Sequence, residues 1–257
     1  MLNPVDVYNE FVKKQAQDNK EARKIKNEGY LEASSAGMCH KKHYYRMTGA
    51  TPKDIQLSSL KIMRLGTIMG QDFEDSMHDY ILSEANICKD EDSYKRPNSK
   101  QIGRYKVYME DFLQSDRLMV GGHMDIMIVD TNTGKARVWD WKTANSFKYK
   151  MVFNGGFGNP STNYELQVAT YGLLAIENGL CTEVEHLGLL YYNKDNSIIK
   201  EKVVPLEYMQ KCENYWLDIN KDGVEPDFGL GKVPVYKWEC GKYCNYSNVC
   251  NSPYNTK

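Results

Sequence analysis

The spacing of apolar positions divides the chain into helical and extended blocks. Residues 4–29 are polar and helix-favouring, which predicts a surface helix. The stretch SSAGMCHKKHYYRMT, residues 34–48, reads as a second helix with Ser34 or Ser35 as its N-cap. From residue 58 to 85, Leu60, Met63, Phe73, Met77, Tyr80 and Ile81 recur near the 3.6-residue period and predict a long helix. Residues 104–142 alternate instead. RYKVYMEDF leads to LMVGGHMDIMIV, then to the turn Asn132-Thr133-Gly134 and to KARVWDWK, a set of adjacent strands. A further helix runs over 162–179, opened by the capping box Thr162-x-x-Glu165. Strands over 184–193 and 197–204 flank Lys194-Asp195-Asn196, and a helix over 206–220 precedes a cysteine-rich tail. Helices, hairpin, helix, two strands and helix make an α/β chain with a mixed central sheet.

Composition narrows the class. With 41% apolar and 26% charged residues the 257-residue chain reads as an ordinary globular protein, long enough for a sizeable core. No run of 18 apolar residues exists, so no membrane span is expected. Asp6 and Glu10 stand where a signal peptide needs basic and apolar residues, so a cytoplasmic location is expected. The seven cysteines are an odd count, which fits a reducing compartment. Three of them form Cys240-x₃-Cys244-x₅-Cys250, a spacing that suits metal ligation but lacks a fourth ligand. Cys88, Cys181 and Cys212 show no such spacing and read as small apolar fillers.

The richest chemistry lies in GHMDIMIVDTNTGKARVWDWKTAN. Residues i and i+2 of a strand share a face, so Asp140 and Lys142 point the same way, and the hairpin brings Asp125 beside them. Two carboxylates on one face suit Mg²⁺ or Mn²⁺. A neighbouring lysine positions or deprotonates a water and offsets charge on a phosphoryl oxygen. His123, just before Asp125, reads as structural.

This arrangement resembles the PD-(D/E)xK nuclease superfamily, with Asp125 as the first acid and Asp140-Trp141-Lys142 as the (D/E)-x-K. YELQVATYGLLA, with Gln167 and Tyr171 one turn apart, resembles the Gln-x-x-x-Tyr helix of RecB-type nucleases, which borders the active site and helps place DNA. GTIMGQDFED resembles their Gly-x-x-x-His-x-x-x-Glu helix. Gly66 and Glu74 match, Gly70 replaces the histidine, and His78 one turn on is a substitute. Cys39, after a serine-rich cap, together with the tail KYCNYSNVC, resembles the cysteine staple of the CRISPR-associated iron–sulfur exonucleases and of the AddB nuclease domain.

The resemblance covers about residues 34–250 and leaves the first helix unaccounted for. It implies a restriction-endonuclease-like core in a single domain, with 1–57 carrying the first cluster cysteine, 58–220 the core and 221–257 the staple. It implies a [4Fe-4S] cluster on Cys39, Cys240, Cys244 and Cys250, with zinc as the alternative. It implies Mg²⁺ or Mn²⁺ on Glu74, Asp125, Asp140 and the Trp141 carbonyl, with Lys142, Gln167 and Tyr171 completing the catalytic set. The implied activity is exonucleolytic cleavage of single-stranded DNA, within recombination, repair or CRISPR adaptation. Phe147, Lys148, Tyr149 and Lys150 follow the lysine strand and offer stacking and phosphate contacts, or form a plain polar loop. The rival from another class is a non-catalytic iron–sulfur or zinc DNA-binding module. No phosphate-binding loop of a motor domain is present.

The net charge of -1 argues against a uniformly basic DNA-coating protein, but it averages unlike segments. From residue 41 to 64, Lys41, Lys42, Arg46, Lys53, Lys61 and Arg64 face only Asp54, a balance of +5. From 135 to 150 five basic residues face only Asp140, a balance of +4. From 72 to 92 eight acids face Lys89, a balance of -7. The basic segments flank the expected cluster and active site, with Lys41, Lys42 and Arg46 as candidate DNA contacts.

Overall fold

The computed structural model describes residues 3–26, 29–84, 99–154, 162–219, 239–240 and 244–252. Cys88 and most of the segment 221–257 lie outside them. The helices are α1 (Pro4–Lys26), α2 (His40–Met47), α3 (Leu57–Glu84), α4 (Ser146–Asn154), α5 (Thr162–Glu177) and α6 (Glu207–Ile219). The strands are β1 (Leu31–Glu32), β2 (Ser99–Ile102), β3 (Tyr105–Ser115), β4 (Val120–Asp130), β5 (Lys135–Ala144), β6 (Glu183–Asn193) and β7 (Ile199–Val204).

The strands form one sheet in the order β2-β3-β4-β5-β6-β7, with β1 added alongside β4. Neighbours pair antiparallel except β5 with β6 and β1 with β4, which are parallel. A parallel neighbour requires a crossover, and α4 and α5 supply it. This is the mixed sheet flanked by helices that the sequence pattern predicts.

Each face of the sheet has its own apolar layer. On one side α5 and α6 cover Met127, Val138, Leu187, Leu189 and Tyr191, with Leu174 and Trp216 contributed by the helices. On the other, Met77 of α3 packs on Val107, Met109 and Ile126. The two layers exchange strand positions at Glu110, which adopts a left-handed backbone (φ 49°) inside β3. Val107 and Met109 face α3 before it, whereas Leu113 faces the α5 layer after it, although all three are odd-numbered.

The 34–48 stretch departs from the expected single helix. Ala33–Ser35 form a 3₁₀ turn, and α2 starts only at His40, with Cys39 rather than Ser34 or Ser35 at its N-cap. Gly37 breaks the run with φ 71°, and it lies so close to α5 that an added Cβ would meet Leu166 Cδ1 at 2.8 Å. α2 is then held by packing. His43 Nε2 lies 2.7 Å from Tyr215 Oη, and both His43 and Tyr215 meet the Trp216 ring edge-on. Burial pushes His43 down to about 3, so the ring is neutral in this contact.

The tail folds onto the same region. Lys53 N–H donates to the Asn245 carbonyl at 2.6 Å, and Asn248 Nδ2 donates to the Thr51 carbonyl at 3.2 Å. Glu239 Oε1 accepts from the Cys39 N–H at 3.3 Å. The basic residues of α2 are therefore engaged rather than presented. Lys41 is buried and donates to Asn251 Oδ1 at 3.2 Å, and Arg46 pairs with Glu32 at 3.1 Å. Among the described residues no helix is long and apolar enough to cross a membrane.

Candidate active site

The site forms where the sheet comes apart. Pairing of β4 with β5 runs from Asp130↔Lys135 to Ile126↔Trp139 and stops there, while β5 continues beside β6 to Ala144↔Asn193. The next residues along, Asp125 and Asp140, therefore face each other across a widening gap. Asp125 Oδ2 accepts the Trp141 N–H at 2.6 Å, replacing the lost ladder bond with a side-chain one. A strand residue's N–H and C=O leave by the same edge, so the Trp141 carbonyl opens toward Asp125 as well. The gap is the floor of an open cleft of about 570 Å³ between α3 and α5.

Asp140 is fully buried. Its Oδ1 accepts from Gln167 Nε2 at 3.0 Å, and its Oδ2 is ion-paired with the Lys142 ammonium. Beyond that ion pair Oδ2 has no hydrogen-bond partner. Burial pushes the Asp140 carboxyl up, and Asp125 adds to the rise against the pull of Lys142. Asp125 is raised by burial too, with Lys142 and the Trp141 N–H opposing. Burial alone would lower Lys142, but Asp140 and Asp125 outweigh it and hold it above its usual range. Lys142 is accordingly an ammonium at neutral pH.

α3 forms the opposite wall. Phe73 stacks on Trp141 with planes 16° apart, and Glu74 lines the cleft with Asp125. Glu74 Oε2 accepts from Gln71 Nε2 at 3.0 Å, and Oε1 lies 3.6 Å from His78 Nε2. His78 is buried on the far side of that contact and does not line the cleft. At Gly70 an added Cβ would meet nothing within 4 Å, so the space for that histidine is open.

The structure thus lines one cleft with Glu74, Asp125, Trp141, Lys142 and Gln167, and buries Asp140 beneath them against Lys142 and Gln167. Tyr171 stands apart. It is buried under Gly122 and accepts from Gln167 Nε2 at 3.3 Å, supporting Gln167 from behind. His123 packs against the Phe112 ring, with centroids 5.1 Å apart. Residues 147–150 belong to α4 rather than to a loop. Phe147 is 74% exposed, whereas Tyr149 is buried in the core. Tyr164 and Glu110 also line the cleft, outside the motifs named above. Tyr164 was detectable, since it lies one turn before Gln167 on the same helix face. Glu110 carries no sequence signal, because only its backbone conformation places it.

Cys39, Cys240, Cys244 and Cys250 are free thiols, as are the buried Cys181 and Cys212. The first four lie near enough to affect one another. Burial pushes Cys39 up to about 12, with Glu239 and Cys240 adding to the rise. Cys240 is raised by burial and by Cys250, and Cys244 by burial and by Glu239 and Cys240. Among the described residues, no three His, Cys, Asp or Glu side chains are already gathered as a metal would hold them.

Carboxylates and a lysine on splayed strands, flanked by a glutamine helix, define a hydrolase of the nuclease class. The defining pattern of the PD-(D/E)XK nuclease superfamily matches residues 38–251, and the chain belongs to that superfamily. Membership implies a nuclease with DNA as its substrate. The chain shares its fold with the crystal structure of SSO0001, at TM-score 0.54 and 18% identity over 98% of each chain. A protein from Eubacterium rectale, named there as an inferred exonuclease, aligns at TM-score 0.48 and 15% identity over 98% of this chain and 96% of that one. No curated protein sequence matches the chain.

Proposed function

We propose that this chain is a divalent-metal-dependent deoxyribonuclease that degrades single-stranded DNA from an end. The observation that carries the reading is the meeting of Asp125, Lys142 and Gln167 in one open cleft, over a buried Asp140 that Lys142 and Gln167 both contact. Glu74, Asp125, Asp140 and the Trp141 carbonyl are the ligands we assign to Mg²⁺ or Mn²⁺. They are hard oxygen donors of the kind such an ion takes, and beyond the Lys142 ion pair the buried Asp140 Oδ2 has no hydrogen-bond partner. When bound, the ion polarises the scissile phosphate and lowers the pKa of water. Lys142, held as an ammonium, orients the attacking water and offsets charge on the phosphoryl oxygens rather than taking a proton. Gln167 fixes the direction of the Asp140 carboxylate, and Tyr171 fixes Gln167.

Phe147, exposed at the start of α4, with Lys148 beside it, offers stacking and a phosphate contact to an unpaired strand. We assign a [4Fe-4S] cluster with a structural role to Cys39, Cys240, Cys244 and Cys250. The support is that the tail returns to α2 and that these free thiols lie within electrostatic reach of one another. Recombination, repair or CRISPR adaptation, in the cytoplasm, is the setting proposed.

The test uses purified protein with Mn²⁺ or Mg²⁺ on end-labelled linear single strands, duplexes and closed single-stranded circles. Degradation of linear strands with circles left intact is expected. No cleavage of any DNA with either ion refutes the reading. For the cluster, iron and sulfide are measured on anaerobically purified protein, and a colourless, iron-free, fully stable preparation refutes it.

A further inference from the structure

Tyr164 sits on α5 one turn before Gln167 and lines the cleft beside Lys142. Two ammonium groups lie against its ring, Lys142 Nζ at 4.8 Å and Lys148 Nζ at 4.2 Å from the centroid. Lys148 also donates to the phenol oxygen at 3.1 Å. Lys148 is itself held in the first turn of α4. Its N–H donates to Asn145 Oδ1 at 2.9 Å, and the Ser146 N–H donates to Asp195 Oδ2 at 2.7 Å.

An ammonium has donors and no acceptor. The bond from Lys148 therefore occupies a lone pair of the phenol oxygen and leaves the phenol's own proton for another acceptor. Two adjacent cations also favour the phenolate over the phenol. Burial alone would raise Tyr164, but the Lys148 and Lys142 ammoniums outweigh it and hold the phenol below its ordinary value.

We propose that Tyr164 is the general acid of the reaction, giving its phenol proton to the oxygen of the departing group. The assignment rests on the nuclease reading above. A water oxygen bonds to phosphorus and releases its proton to solvent. The P–O bond to the leaving group breaks, and that oxygen takes the Tyr164 proton. The Lys148 ammonium holds the phenolate, which regains a proton from solvent. Lys148 is a positioning residue in this scheme, and Lys142 remains paired with Asp140.

Tyr164→Phe keeps the ring and both cation contacts and removes only the hydroxyl. Its kcat on single-stranded DNA should fall by roughly 10²–10⁴-fold, the range of a lost general acid. The p-nitrophenyl ester of thymidine 5′-phosphate has a leaving group that departs as a stable anion and needs no proton. Tyr164→Phe should cleave that ester at the wild-type rate. Equal losses on both substrates, or an unchanged rate on DNA, overturn the assignment and leave the nuclease reading standing. A wild type that cleaves neither substrate with Mn²⁺ or Mg²⁺ overturns the nuclease reading, and the assignment with it.

Discussion

Replacing Lys142 by methionine isolates the electrostatics of the cleft at nearly constant side-chain length. The Lys142 side chain is 15% exposed and paired with Asp140, which has no exposed surface. Without the ammonium, Asp125 and Asp140 face each other with Glu74 beyond them and no cation between. Removing one partner of a buried ion pair costs about 3–5 kcal/mol. In a chain of this length 1 kcal/mol moves Tm by about 2–4 °C, so the drop expected at pH 8 in chelator is on the order of 6–20 °C.

The pH dependence has a definite sign. Burial raises both carboxyls, Asp140 to about 8, so the folded protein keeps protons that the unfolded chain releases above about pH 4. The associated stability is present below the ordinary carboxylate range and is lost as pH rises toward 8. Lys142 is the largest influence opposing that rise, and its loss moves both groups further up. At pH 5 the variant's carboxyls are protonated and need no cation, so its deficit against the wild type should shrink there and be full at pH 8. Mn²⁺ at 100 times its Kd should restore about 2.7 kcal/mol. Circular-dichroism melting of both proteins at pH 5 and pH 8, with EDTA or Mn²⁺, makes the comparison. A deficit equal at both pH values and insensitive to Mn²⁺ would refute this account.

Gly122→Ala should destabilise by about 1–3 kcal/mol in urea unfolding, because its Cβ would meet Ala33 Cβ at 3.0 Å and the Tyr171 ring at 3.3 Å. Its cleavage rate should fall as well, since Tyr171 supports Gln167; an unchanged rate in a stably folded variant would contradict that support. Glu74→Gln should weaken Mn²⁺ binding in calorimetric titration while changing stability by no more than about 0.5 kcal/mol, because Glu74 lies at the cleft surface. Unaltered Mn²⁺ affinity would remove Glu74 from the ligand set.

The β4–β5 hairpin was legible because two independent signals agree there: the Asn-Thr-Gly turn fixes the register, and alternation fixes the faces. Those two together put Asp125 opposite Asp140 and Lys142 beside it. α5 was legible for the same reason, with an apolar period behind a polar Gln-x-x-x-Tyr edge. The rest depended on tertiary contact. α4 is short and mixes Phe147 facing solvent with Tyr149 facing the core, so no periodicity announces it. Tyr171 looked like a DNA contact because the helix face was right, but its depth under Gly122 is set by how closely β4 approaches α5. Lys41 counted as a surface cation in the charge sum, yet the returning tail buries it against Asn251.

The two basic segments therefore have different roles. Of the six cations between residues 41 and 64, Lys41 is buried, Arg46 pairs with Glu32, and Lys61 and Arg64 lie over the Tyr8 and Phe11 rings of α1. They serve the joining of α1, α2 and the tail to the core more than they serve a polyanion. The cation that lines the cleft comes instead from the second segment, Lys142, and it converges with Lys148 on Tyr164. A cleft lined by Glu74, Glu110 and Asp125 over a buried Asp140 repels phosphate until cations offset it. The left-handed Glu110 and the parting of β4 from β5 break the regular pairing beside this cluster. A non-glycine residue in that conformation costs on the order of 1–3 kcal/mol. An unbroken ladder at Asp125 would close the gap, cover the Trp141 carbonyl and leave no cleft for a strand to enter. The irregularity in the sheet and the charge imbalance it exposes are therefore parts of one arrangement, in which local stability is given up where an ion and a phosphodiester are to be received.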